Sequence, residues 1–345
     1  MKKLIVVFLF FALFVLSACS QDKASSNDQT DADSGENQKV IELSLGTKMP
    51  DETVEGQAFN YFADLVKEKT DGKVIVNVFP AEQLGTGTTQ IDNMIMGTQD
   101  MYAEGLTFFN DYDARFDLAT IPYLFRDFEH FQTFNKSEVG REIEDNLIAQ
   151  GMRIINTERN FVRGPYRVLL STKPIKSLED IKGLKLRSPE TAIYADAWSY
   201  LGANPTVIAW TETYLAMRQG TVDAVTSPIS LVKGMNFAEV APYITIINEY
   251  PQDVGIVIAE SSFQKLTEEQ QNHLIDAANE AGEYATKLTY ESIDEDIEFL
   301  KTENNAEFIE IDYEEWSSFM KDFHNQLEEK GLIEEGIVEY INSLE

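Results

Sequence analysis

Cys19 is the only cysteine of the 345-residue chain, which excludes any disulfide within it. With no cysteine pair, and with His130, His273 and His324 far apart, the sequence also lacks the ligand spacing of a structural zinc site. Basic residues are scarce: 28 Lys and Arg stand against 59 Asp and Glu, a formal net charge of −31. Binding to nucleic acid rests on neutralising phosphates with Lys and Arg, so this balance argues against a nucleic-acid binder. There is no Gly-rich phosphate loop, no metal motif, and no serine with a suitable arrangement of histidine and acid. Neither a cofactor nor a metal is expected, and catalysis is disfavoured.

Apolar residues make up 43% of the chain and charged residues 25%, values that fit a globular protein rather than wholesale disorder. The length predicts a substantial core or two joined lobes. Lys2 and Lys3 precede an apolar run from Leu4 to Leu16, 13 residues long. That is short of the ~20 residues a bilayer span takes, and a basic start, a short apolar stretch and small residues after it read as a secretory signal. The sequence Leu16-Ser17-Ala18-Cys19 resembles a bacterial lipobox, with Cys19 lipidated as the mature N-terminus; a plain signal with an incidental cysteine is the alternative. Residues 1–18 are read as the signal and 19–39 as the lipidated cysteine with a flexible tether. Ser20 to Gln38 holds no large apolar residue, so it cannot offset its ordering entropy. Such a tether would let the folded part range about 25 Å from the membrane. Losing the signal removes two lysines and leaves the mature chain more negative still. Any anion site therefore needs local cations.

From Ile41 the chain alternates strands and helices. Strands are predicted over Ile41–Gly46, Lys73–Phe79 and Met101–Glu104, with helices over Val54–Thr70 and Thr88–Met96. This order predicts a parallel-type sheet with right-handed crossovers. The rhythm resumes with strands at Arg167–Ser171, Leu184–Arg187, Thr206–Ile208 and Ala224–Thr226. Between them fall a short helix opened by Ser177 and Asp180 in capping-box fashion, then helices at Ala192–Leu201 and Thr211–Gln219, with another at Ile229–Met235. Gly255–Ala259 reads as a strand that returns the chain to the first sheet. Thr267 then opens a helical pattern to Asn304, roughly 57 Å if unbroken, with a kink near Gly282 as the alternative. A strand (Phe308–Ile311) and helices around Trp316–Lys330 and Ile333–Leu344 close the chain. The fold class expected is α/β, two-lobed like periplasmic binding proteins, with a central cleft and a long helix spanning both lobes. The boundaries read are 40–164 with 253–292 for the first lobe, and 165–252 with 293–345 for the second.

Sheets of this type bind ligands beyond the carboxyl ends of their strands. Glu104, Arg187, Trp210 and Ser227 fall at such ends, and Arg167 begins the first strand of the second lobe. Placement alone is a weak signal, because strand ends are often polar.

The region Ile175–Pro228 is more specific. It contains Leu178-Glu179-Asp180-Ile181-Lys182-Gly183-Leu184-Lys185-Leu186-Arg187, then Gly202-Ala203-Asn204-Pro205-Thr206 and Gln219-Gly220-Thr221-Val222-Asp223-Ala224. With Leu84-Gly85 and Ile121-Pro122-Tyr123 upstream, the chain from about Ile41 onward resembles the extracytoplasmic solute-binding proteins of TRAP transporters, DctP type. The resemblance implies a secreted, non-catalytic carrier that delivers a small organic acid to a membrane permease pair. It also implies that Arg187 pairs with the substrate carboxylate, a role suited to the planar guanidinium fork. Arg167 is in register with a second family arginine, and Arg163, four residues earlier, competes for that role. Trp210 stands where an aromatic face stacks on substrate or packs in the core, and Glu104 where a polar residue lines the cleft. The family's Glu-Asn-Pro is replaced here by Thr226-Ser227-Pro228, so Ser227 stands in for the usual amide.

The expected partners are a small organic acid, with a sugar acid favoured because Glu104 suits hydroxyl groups, the TRAP permease subunits, and the membrane through the lipid anchor. The carrier is expected to be extracytoplasmic and a monomer. The alternatives are the binding lipoprotein of an ATP-driven importer, and a lipid-anchored hydrolase using paired carboxylates. Turnover of glycosides or esters would favour the last.

Overall fold

The computed structural model describes residues 40–345. Cys19, the signal and the tether lie outside the described residues. The chain runs β1 (Ile41–Thr47), α1 (Val54–Lys69), β2 (Val74–Phe79), α2 (Gly87–Ile95), β3 (Met101–Glu104), α3 (Phe128–Asn135), α4 (Glu138–Ala149) and β4 (Met152–Ile154). It continues through β5 (Arg167–Ser171), β6 (Lys185–Ser188), α5 (Ala192–Tyr200), β7 (Asn204–Val207), α6 (Thr213–Arg218), β8 (Ala224–Pro228), α7 (Ile229–Val232) and β9 (Tyr243–Ile246). Then come β10 (Gly255–Ala259), α8 (Glu260–Phe263), α9 (Glu268–Glu303), β11 (Glu307–Glu310), α10 (Tyr313–Glu329) and α11 (Ile337–Ser343). No described helix is long and apolar enough to cross a membrane.

Two sheets form the two lobes. The first has the order β2-β1-β3-β10-β4 and the second β11-β9-β5-β8-β6-β7. In the first, β1 lies parallel to β2 and β3, as alternation with helices predicts. β10 returns from the second sheet and inserts antiparallel between β3 and β4. In the second, β6, β7 and β8 run parallel while β5 runs against both β8 and β9. The chain passes between the sheets three times: from β4 to β5, from β9 to β10, and along α9 before β11.

Local chemistry sets the element ends. Thr53 caps α1 by accepting a bond from the Gly56 amide, and Ala58, Phe59, Phe62, Leu65 and Val66 form its buried stripe. Thr267 and Gln270 make a reciprocal capping box at the start of α9. This helix is continuous over 36 residues, so the chain does not divide into two helices near Gly282. Gly282 marks close approach instead: a Cβ there would lie 2.4 Å from the Asn160 side-chain oxygen. The Thr286 hydroxyl donates to the Asn160 carbonyl and accepts from the Val162 amide, tying the helix to the first crossing segment. Toward its start α9 meets α1 through Lys69–Glu280 (2.7 Å); toward its end Lys233, just after α7, pairs with Asp296 (2.7 Å). One continuous helix therefore touches both lobes.

Residues 106–149 carry structure that the strand–helix rhythm leaves unread: two 3-10 turns (Leu106–Phe109 and Ala114–Thr120), α3 and α4. α10 and α11 also pack across elements of both sheets. His324 bonds to the Pro122 carbonyl at 2.8 Å, while Tyr200 of α5 lies against Phe319 and Phe323.

Candidate functional site

The carboxyl ends of β1, β3, β6 and β8 converge on one cavity between the lobes, with an empty volume of about 550 Å³, part of it open to solvent. Because β5 runs against β8, its first residue, Arg167, sits opposite Pro228 at the same end. Arg187, Arg167, Trp210 and Glu104 all line the cavity.

Arg187 projects from β6 and is 7% exposed. Its Nε donates to the Ile208 carbonyl at 2.9 Å, which fixes the fork, and its guanidinium lies 5.3 Å from the Trp210 ring. Among the described residues no carboxylate pairs with it. Burial, with Arg167 adding to it, pushes Arg187 down to about 10. A buried guanidinium with its outer nitrogens unengaged is set to take an anion.

Arg167 is committed elsewhere. Its Nε donates to Glu249 (3.0 Å), and its two outer nitrogens donate to Gln252 (2.8 Å) and Thr226 (3.0 Å). Its guanidinium stacks 4.2 Å from the Tyr250 ring. Glu249 in turn accepts from the Trp198 indole at 3.1 Å. Arg163, on the opposite wall, is committed more fully still. Two parallel bonds join it to Glu55 (2.7 and 2.5 Å), and a third joins it to Glu104. Both arginines line the cavity, so neither displaces the other: Arg163 belongs to a buried ion cluster and Arg167 to a hydrogen-bonded network with Glu249, Gln252 and Thr226.

Glu104 ends β3 and is buried. Despite burial, Arg163 and then Lys48 hold its carboxyl below the usual range. One oxygen accepts from Arg163 and the Gly105 amide; the other has no partner among the described residues. Trp210 does two things at once. Its ring packs edge-on against Phe237 at 5.0 Å, while its buried indole N–H has no partner.

Ser227 requires a correction. It is fully buried but does not line the cavity; its hydroxyl donates to the Pro228 carbonyl at 2.9 Å. Alternate residues of a strand face opposite ways, so Thr226 and Pro228 take the cavity face of β8. Thr226 accepts from Arg167 and shares a 2.6 Å bond with the Tyr194 hydroxyl.

Lys48 escaped the sequence reading. It follows β1, lines the cavity, is 6% exposed, and makes no hydrogen bond or ion pair among the described residues. Its Nζ stands 3.4 Å from the centroid of the Phe108 ring. Burial lowers it to about 8, with Glu104 opposing the fall and Arg187 adding to it. Its signal was positional: it follows a central parallel strand, beside the strand that Glu104 ends. Thr211 donates to Glu82 (2.8 Å) and Thr88 to Glu190 (3.4 Å), bonds that join the two lobes.

Two α/β lobes clasping a buried, cation-lined cavity define a solute-binding protein. Residues 45–331 match the model of DctP, described as bacterial extracellular solute-binding protein, family 7, and the chain belongs to that family. A solute-binding protein of Roseobacter denitrificans is 33% identical over 76% of this chain and 79% of its own length. The 2,3-diketo-L-gulonate-binding periplasmic protein of Escherichia coli is 30% identical over 70% of this chain and 72% of its own. A crystal structure of a TRAP periplasmic solute-binding protein from Roseobacter denitrificans with bound L-galactonate superposes with a TM-score of 0.79 at 31% identity, covering 88% of this chain and 99% of that one.

Proposed function

We propose that the chain captures a sugar acid between its lobes and hands it to a TRAP permease, with Arg187 holding the carboxylate. The single observation that carries this is the buried Arg187 fork, which has no carboxylate partner among the described residues. The rest of the cavity suits a hydroxylated body. Glu104 offers a free acceptor oxygen, Trp210 a free donor, and Trp210 and Tyr250 apolar faces for carbon. The relatives named for 2,3-diketo-L-gulonate and crystallised with L-galactonate carry acids of this kind. Glu82–Thr211 and Thr88–Glu190 would hold the closed form that a ligand favours. The lobes are taken as 40–164 with 253–292 and 165–252 with 293–345.

A thermal-shift screen of aldonic, uronic and dicarboxylic acids tests the reading, since a ligand of the folded form raises the melting temperature by mass action. At least one sugar acid should stabilise the parent protein. A hit confined to neutral sugars or amines would sink it. Anchoring through a lipidated Cys19 belongs to the same proposal, on the strength of Leu16-Ser17-Ala18-Cys19. Labelled palmitate should enter the parent and not Cys19→Ser; equal labelling of both would refute the anchor.

A further inference from the structure

The cavity carries a charge balance that a sugar-acid receptor does not require in general. Seven ionisable side chains meet in and directly behind its walls, each at most 7% exposed: Lys48, Arg163, Arg167, Arg187, Glu55, Glu104 and Glu249. Arg163 is paired with Glu55 and Glu104, and Arg167 with Glu249. Lys48 and Arg187 have no bonded carboxylate. Four cations against three carboxylates leave one positive charge out of water. Arg159 and Asp253 lie nearby but pair with each other at 2.7 Å, and Glu82 and Glu190 are not buried and fall outside this set.

Resting on the reading of the site as a sugar-acid cavity, we infer that it selects a singly charged acid over a doubly charged one, and that Lys48 sets this choice as a second ligand-binding cation. An uncompensated buried charge is costly, and one ligand carboxylate removes the imbalance. A second carboxylate would restore an imbalance of opposite sign. With the first carboxylate shared by Arg187 and Lys48, a second would find only Arg163 and Arg167, which are already engaged. Geometry gives Lys48 the freedom to serve. Its amine lies beside Gly87, where a Cβ would stand 3.4 Å from it, so the absence of a side chain there leaves the amine room to move.

The test is calorimetric titration of the purified protein with L-galactonate, D-gluconate, D-galacturonate and D-glucuronate, and with the dianions galactarate and D-glucarate. The tightest binder should be a monoanion, with both dianions at least tenfold weaker. A dianion that equals or exceeds every monoanion overturns the charge selection and leaves the sugar-acid reading standing. Binding by none of the six overturns the sugar-acid reading and this inference with it. Lys48→Met supplies an independent arm. It should weaken the best monoanion at least tenfold while the unliganded variant melts no lower than the parent, because a desolvated charge has been removed. Unchanged affinity, or a lower melting temperature with affinity retained, would make Lys48 a structural residue and overturn its assignment.

Discussion

Two arginines reach the same cavity from opposite walls, Arg163 at 5% exposure and Arg187 at 7%. Burial does not distinguish them; their partners do. Arg163 is enclosed by Glu55 and Glu104, whereas Arg187 gives one N–H to a backbone carbonyl and keeps the rest of its fork toward the cavity. The first arrangement fixes a wall, and under the proposed function the second leaves a charge for a guest to complete. The lesson reaches beyond this cavity: for a buried cation, function is read from the anion that is missing.

The largest expected effect breaks this comparison if it fails. Arg163→Ala would strand two buried carboxylates and should cost about 3–5 kcal/mol of stability in denaturant unfolding. Arg187→Ala strands none. Its unliganded stability should stay within about 1 kcal/mol of the parent, a surface-like cost despite its burial. Its ligand affinity, however, should fall by about 2–5 kcal/mol, the cost of removing one partner of a desolvated ion pair. Equal loss of stability in both variants would erase the distinction between wall and binding group. So would a retained ligand-induced melting shift in Arg187→Ala.

A second prediction sharpens the comparison through pH. Lys48 is the cavity cation lowered furthest toward neutrality, to about 8, while Arg187 stands at about 10. The groups facing Lys48 are Glu104, Arg187, Glu82, Glu190 and the Tyr102 hydroxyl, and burial raises Tyr102 well above 10. An anion binds the protonated amine better, so binding raises the Lys48 pKa and takes up a proton above about 8. Affinity should therefore be flat below that value and fall up to about tenfold per pH unit above it. Lys48→Met should abolish the slope. A parent affinity that is level up to pH 9.5, or a slope that survives in Lys48→Met, would contradict the assignment.

The sequence made the periodic parts of the fold legible. α1 carries its apolar stripe at helical spacing, β5 spans Arg167–Ser171 as expected, and Gly255–Ala259 does return to the first sheet. The segment 106–149 went unread although Phe128, Phe131 and Phe134 in α3 and Val139, Ile143 and Leu147 in α4 are spaced for helices. β9 is only four residues long and is defined by its neighbours β5 and β11, which no local pattern announces. Arg187, Arg167, Trp210 and Glu104, singled out from the sequence by motif or by place beside a strand, all line the cavity. Lys48 carries no motif, and its solitude is a three-dimensional fact. The distinction between Arg163 and Arg167 was likewise out of reach. It depends on Glu55 and Glu249, which lie far from them in sequence.

The smallest effect concerns two adjacent side chains. Thr226 and Ser227 differ by a methyl group, yet one faces the cavity and the other turns its back on it. Thr226 accepts from Arg167 and bonds to Tyr194, so Thr226→Val keeps the shape and removes two hydrogen bonds from the cavity wall. Each such bond is worth about 0.5–1.5 kcal/mol, more where one partner is charged, and a loss near 1 kcal/mol in affinity is a factor of about five. Ser227 donates only to the Pro228 carbonyl at the end of its own strand. Ser227→Ala should leave affinity unchanged and stability lower by about 1 kcal/mol at most. Calorimetry on the two single variants separates the outcomes. If Ser227→Ala lost the affinity and Thr226→Val did not, the facing of β8 would be reversed, and Ser227 would regain the place that its motif position suggested.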